Sequence, residues 1–155
     1  MPNLNQSQVD VLATDLWGAR VDRATAALPA TTHSAIFTIT GGRVIVNMIL
    51  GEVTVAVQAQ ANNTKVTSYP TVGSAVDLCS VTDINGLEVG GKLLVPGIAA
   101  TALTKANAGA VIAPAGSFVI AIGAIHLDCA ATNTGSIKWT CFWTPFDDGA
   151  LLVAA

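Results

Sequence analysis

What the chain lacks first is charge. Lys, Arg, Asp and Glu make up only 11% of its 155 residues, against about 25% in an ordinary soluble domain. A solitary domain in water carries a well-charged exterior, so much of this surface has to be Thr, Asn, Ala and Gly. That composition suits a subunit seated among neighbours. The net charge of −3 and the pI of about 5.0 offer phosphate backbones no attraction, which argues against a nucleic-acid partner. Aromatic residues are also few, at 5%, so the 52% hydrophobic content rests largely on Ala and Val.

Chemical motifs are equally scarce. No G-x-S-x-G elbow, G-x-G-x-x-G fingerprint, C-x-x-C or H-x-x-x-H spacing occurs, so the common signatures of hydrolases, dinucleotide enzymes and zinc centres are missing. Gly86–Lys92, GLEVGGK, satisfies G-x-x-x-x-G-K, but position 93 is Leu where a phosphate-binding loop supplies Ser or Thr to magnesium. His33 and His126 are the only histidines. His126 and Asp128 fall on one face of the strand-like AIHLDC and Cys129 on the other. A metal or Cys/His centre there needs further ligands from elsewhere, and structural roles are expected instead. Asp147-Asp148-Gly149 reads as a turn rather than a calcium site. No catalytic residue, cofactor or metal is therefore expected, and the chain is read as a non-enzyme.

Cysteine usage and processing signals point the same way. Cys79, Cys129 and Cys141 are odd in number and unevenly spaced. That fits a reducing compartment and three buried thiols better than a Cys129–Cys141 bridge. Asn62-Asn63-Thr64 has the spelling of a glycosylation acceptor. However, MPNLNQSQVDVLATD has early acids and no basic start before an apolar run, so no secretory signal is expected. The uncharged span 106–125 raises a membrane question. Its Pro114, glycines and Asn107 answer it with two short strands around a Pro-Ala-Gly turn.

What is present is β pattern. Ala35–Thr40 and Arg43–Leu50 flank Gly41-Gly42, the spelling of a two-residue hairpin. Glu52–Gln60 follows Gly51, with Val53, Val55, Val57 and Ala59 alternating against Thr54, Ala56, Gln58 and Gln60; Thr64–Tyr69 then completes an expected four-strand meander. Further strands are predicted at Gly73–Val81, Lys92–Val95, Phe118–Ile122 and Ala124–Leu127. Ile98–Ala113 carries no pattern that selects a state. In Ser136–Phe146, Ile137, Trp139, Cys141 and Trp143 share one face, and Pro145 marks where the strand leaves the sheet or becomes an edge.

The helical passage is Ser7–Gly18. Val9, Leu12, Ala13, Leu16 and Trp17 form one stripe, Ser7 and Asp10 spell a cap, and Gly18 is a stop. About ten residues do not make a stable helix alone, so the stripe has to dock, on its own body or on another subunit. Ala19–His33 reads as an extended linker or a first strand. The expected fold is all-β: an antiparallel β-sandwich or barrel, jelly-roll-like, of about eight strands. Residues 1–33 form a helix or arm and residues 34–155 the β domain.

Four phrases, ATTHSAIFTITGGRVIV, ILGEVTVAVQAQANNTKV, PTVGSAVDLC and LDCAATNTGSIKWTCFWTPFDDGA, together resemble small virion-associated proteins of tailed bacteriophages. The likeness spans roughly Leu28–Ala150 and carries no catalytic signature. It implies a capsid decoration (cement) protein that sits on the head surface, often as a homotrimer, and clamps the major capsid protein. Such a protein is made in the bacterial host cytoplasm and carried on the virion. The expected contact residues are Val9, Leu12, Leu16 and Trp17 of the arm, with Trp as an interface anchor. The uncharged polar face of Thr54, Gln58 and Gln60 is a second candidate interface. A tail or fibre subunit is the alternative, followed by a glycan-binding β module in which Trp139, Trp143 and Tyr69 would stack on sugars.

Overall fold

The computed structural model describes residues 5–155, and of residues 10 and 12–15 the backbone alone. The described residues form one helix, α1 (Gln6–Trp17), and twelve strands. The strands are β1 (Ala19–Ala27), β2 (His33–Thr40), β3 (Val44–Val55), β4 (Asn63–Pro70), β5 (Val76–Asp77) and β6 (Thr82–Asp83). They continue as β7 (Lys92–Leu94), β8 (Thr104–Ala106), β9 (Phe118–Ile120), β10 (Gly123–Cys129), β11 (Ser136–Pro145) and β12 (Leu151–Ala154). Sheet I has the order β1-β11-β3-β7-β8, with β9 also on β3; sheet II has the order β12-β2-β10-β4-β5, with β6 also on β4. All ladders are antiparallel. The expected β-sandwich is thus observed, with twelve strands rather than about eight.

The winding is specific. When β1, β2, β3, β4, β5, β7, β10 and β11 are taken as the frame and renumbered one to eight, the sheets read 1-8-3-6 and 2-7-4-5. That is the jelly-roll order of two interlocked Greek keys. Consecutive strands β1, β2, β3 and β4 alternate between sheets, so the four-strand meander expected from Ala35–Tyr69 is not formed. Gly41-Gly42 is a crossing from sheet II to sheet I, not a hairpin. Its local spelling is the same in both cases. What decides is the pairing of distant strands, β2 with β10 and β12 and β3 with β11, β7 and β9. At the crossing the Arg43 guanidinium grips Asp147, 104 residues away, through Nε–Oδ2 and Nη2–Oδ1, both 2.8 Å, while the Arg43 amide donates to Oδ2 at 2.8 Å. Arg43 also lies 4.5 Å above the Phe146 ring. The β2–β3 crossing and the β11–β12 crossing are thereby locked together.

A second difference lies at Gly51. It was expected to separate two strands, yet β3 runs unbroken through it. Gly51 pairs with Trp139 of β11, and a Cβ there would lie 2.8 and 2.9 Å from indole carbons and 3.1 Å from Ile137. The glycine makes room for a fully buried indole. Ile137, Trp139, Cys141 and Trp143 are all buried, as the alternation of β11 predicted, and β11 ends at Pro145. They face Ile36, Phe37, Ile39, Ile125 and Leu127 of the other sheet in one core. β3 then stops at Val55, and the chain crosses to sheet II with Val57 turned inward, its amide donating to the Leu87 carbonyl at 2.8 Å.

β1 already belongs to sheet I, pairing with β11 from Ala19. The segment separate from the sheets is therefore α1 rather than the whole of residues 1–33. The helix is capped by Asn5, not by the predicted Ser7: Asn5 Oδ1 accepts from the Gln8 amide at 2.9 Å and Gln8 Oε1 from the Asn5 amide at 3.0 Å. This reciprocal pair is a capping box, and Ser7 lies within the first turn, two residues after the cap.

Gly51→Ala tests the packing argument. Overpacking costs about 1–3 kcal/mol and outweighs the gain of about 0.4–1 kcal/mol from a less flexible unfolded chain. The denaturant midpoint is expected to fall, with a shift in indole fluorescence; an unchanged or raised midpoint would show that the glycine is not there for Trp139.

Candidate functional site

Three surfaces collect the polar and apolar groups that the core leaves out. The first is the outer face of sheet II. Period-two alternation turns Lys65, Thr67 and Tyr69 of β4 and His126 and Asp128 of β10 outward, while Val66, Ile125 and Leu127 go inward. The ladder places Tyr69 opposite Ala124, so its ring leans along β10 over His126 and its hydroxyl donates to Asp128 Oδ2 at 3.3 Å. His33 of β2 closes the group: its Nδ1 lies 2.7 Å from His126 Nδ1. The Thr67 hydroxyl is 2.8 Å from Asp128 Oδ2 and 3.1 Å from Asp77 Oδ1, one hydrogen shared between two carboxylates. Lys65 pairs with Asp77 at 2.7 Å. Asp128 Oδ1 is buried with no partner. Burial pushes the His126 imidazole below its ordinary range, the neighbouring His33 adds to this, and Asp128 opposes both. Burial also raises the Tyr69 phenol, with Asp128 next. The alternation had put His126 and Asp128 on one face; nothing in it signalled that Tyr69 and His33 would join them.

The second surface is the outer face of sheet I. The face around Thr54 was read as uncharged, but the neighbouring strands change that. Glu52 accepts from Lys92 of β7 at 2.8 Å and lies 3.1 Å from Lys138 of β11; Asp22 of β1 accepts from Thr140 at 2.7 Å and from Arg20 at 3.0 Å. These partners hold both carboxyls below the usual range, Lys92 leading for Glu52 and Thr140 for Asp22. Thr54 sits where the β3–β11 register shifts, its hydroxyl bonded to Thr25 and to the Ser136 carbonyl. Gln58 and Gln60 are not on this face at all. They lie in the crossing after β3, where Gln58 Oε1 accepts from the Thr134 amide at 3.3 Å and Asn133 donates to both backbone carbonyls. The three residues therefore do not share one sheet face.

The third surface is apolar. Val9, Val11, Leu16 and Trp17 of α1 are exposed, Leu16 at 77%; the side chain of Leu12 lies outside the described residues. The helix is held to the body at its C-terminal end. Asn47, the extra residue of a β3 bulge, donates to the Trp17 carbonyl at 2.9 Å and accepts from Ser117 at 2.9 Å. Trp17 meets Phe142 edge-tilted with ring centres 6.4 Å apart. Gly18 has φ +85°, and a Cβ there would strike the Trp143 carbonyl. The charge-free span 106–125 leaves Ile112, Val119 and Ile122 exposed, and Val72 and Val76 are exposed as well.

The remaining chemical candidates are absorbed by structure. Lys92 of the GLEVGGK segment is spent on Glu52 and the Gly90 carbonyl, and β7 begins where a phosphate-binding loop would open a helix. All three cysteines are free and buried; burial raises the thiol of Cys79 to about 11 and of Cys141 to about 12, which keeps them from acting as nucleophiles. Asn62 is buried and bonded to both polar atoms of Ala131, so its amide is closed to glycosylation in the fold. Trp139 and Trp143 are core residues, which removes the sugar-stacking pair. Among the described residues no group of three or more His, Cys, Asp and Glu converges for a metal ion, and no helix is long and apolar enough to cross a membrane. No family model, curated protein or solved structure matches the chain.

Asp147, one of the two turn carboxylates, is structural. The Arg43 fork holds its carboxyl down at about 2, from a usual 3.8. A carboxyl lowered in the folded state stabilises above its unfolded value and loses that contribution as pH falls through the folded one. Asp147→Asn is thus expected to lower the thermal midpoint at pH 7 and to converge with the parent protein as pH approaches 2. Parallel melting curves that never converge would contradict the assignment.

Proposed function

We propose that this protein is a non-catalytic assembly subunit of the decoration (cement) type, which seats on the outer surface of a phage head and stabilises its lattice. The observation that carries the reading is α1. The body closes its own core, yet a capped helix stands off it with Leu16 and Trp17 exposed, fixed through Asn47 and Gly18. A helix of twelve residues gains little from propensity alone and owes its stability to a packed face, and exposed Trp and Leu on a rigid mount are what an interface anchor requires. The charge-free span with Ile112, Val119 and Ile122 extends the apolar surface available to neighbours. The phrase-level resemblance to phage virion proteins supplies the identity of the lattice, and the major capsid protein is the partner it implies. Binding selective for the expanded head stabilises that state by its differential affinity, and self-association into a trimer multiplies modest contacts through avidity.

Light scattering at micromolar concentration is expected to give a trimer mass; a strict monomer would remove the avidity argument. Removal of residues 1–17, which stops short of Gly18 and β1, is expected to leave the two sheets folded and to abolish co-sedimentation with undecorated expanded heads. Undiminished co-sedimentation would take the arm out of the mechanism. Co-sedimentation with tails in place of heads would favour a tail or fibre subunit.

A further inference from the structure

The histidine pair on sheet II has a geometry that ordinary surface histidines do not share. The ring centres of His33 and His126 are 4.9 Å apart and their Nδ1 atoms 2.7 Å apart, with the planes tilted by 33°. The centre separation equals the nitrogen separation plus the two ring radii, so both nitrogens lie on the line of centres and point at each other. Such an arrangement holds one hydrogen between two lone pairs. It leaves no room for a metal ion, which would have to push the rings apart to gain both nitrogens. Tyr69 lies over both rings, 4.7 Å from His33 with an 11° tilt and 4.4 Å from His126.

We propose that His33 and His126 form a shared-proton clasp, capped by Tyr69, that ties β2 to β10 at neutral pH and opens when it takes up a second proton. In the neutral pair one ring carries its hydrogen on Nδ1 and donates it; the other carries its hydrogen on Nε2 and accepts. A first proton from solvent adds to the free Nε2 of the donor ring. The bond survives as a charge-assisted one, and the Tyr69 π face and the Asp128 carboxylate both favour the single cation. A second proton has only the accepting Nδ1 to enter. Two N–H groups would then face each other between two cations, so the bond is lost and the rings part. Asp128 Oδ1, buried and unpartnered two residues along the same face of β10, is an acceptor ready for a released histidinium. The charged and titratable groups around the pair are Asp128 from β10, Tyr69 and Lys65 from β4 and Asp77 from β5; β12, on the far side of β2, carries no titratable side chain. The clasp contributes stability at neutral pH and loses it in mild acid, because the second proton binds the unfolded chain more readily than the folded one.

Nitrogen-detected NMR of the two histidine rings between pH 8 and pH 4 tests this. The clasp requires opposite tautomers at pH 8 and two macroscopic titration steps separated by more than about one pH unit, with the ring signals of Tyr69, the sole tyrosine, moving in the second. In His33→Gln the remaining His126 is expected to titrate in one step with no accompanying Tyr69 shift. Two Nε2–H tautomers that titrate together, in a profile that His33→Gln leaves unaltered for His126, would overturn the clasp. So would stoichiometric capture of zinc by both rings at pH 7, which would make the pair a metal site. The titration of the parent protein decides the matter even where the variant fails to fold.

Discussion

The register of β11 against β3, fixed by Trp139 over Gly51, is the constraint on which the rest of the molecule depends. β11 is flanked by β1 and β3 in sheet I, and its inward row of Ile137, Trp139, Cys141 and Trp143 forms one wall of the core. A slip of one residue would turn that row to solvent and bring Lys138, Thr140 and Phe142 inside. Gly51 is the position where the largest of these side chains finds space. With that ladder set, the β3 bulge at Asn47 aims an amide at the last carbonyl of α1, and the end of β11 delivers Asp147 to Arg43. The seat of the helix and the lock between two crossings thus both depend on one pairing.

Much of this was legible in the sequence at the level of single strands. The alternation in Ser136–Phe146 gives the wall of the core correctly, because a strand buried on one face announces itself by period two alone. The sandwich also follows from the number of short strands. Which strands pair does not follow. Gly41-Gly42 between two apolar runs spells a hairpin, and only the pairing of β2 with β10 and of β3 with β11, strands far along the chain, makes it a crossing between sheets. Gly51 reads as a break because a missing side chain and a flexible turn look identical until the indole opposite is known.

The surfaces were harder still. Thr54, Gln58 and Gln60 suggest an uncharged face, but Glu52 on the same row and Lys138 and Lys92 on neighbouring strands bring charge to it, and Gln58 and Gln60 leave the sheet before that face is complete. The same cross-strand effect built something in sheet II. His126 and Asp128 share a face by local periodicity, whereas His33 and Tyr69 join them from β2 and β4 through pairing. The arm is the opposite case. Its stripe of Val9, Leu12, Leu16 and Trp17 is a local pattern that needs no partner strand to be read, and Val9, Leu16 and Trp17 are exposed along the capped helix.

A jelly-roll body with buried thiols and a capped helix that exposes Leu16 and Trp17 suits the proposed role of a subunit held by neighbours. That account stands or falls on where α1 goes in an assembly. A cryo-electron-microscopy reconstruction of undecorated expanded phage heads mixed with the purified protein measures it directly. The account predicts added density on the outer surface with Leu16 and Trp17 of α1 buried against capsid subunits. Bare heads, or a bound body whose α1 points into solvent, would contradict it.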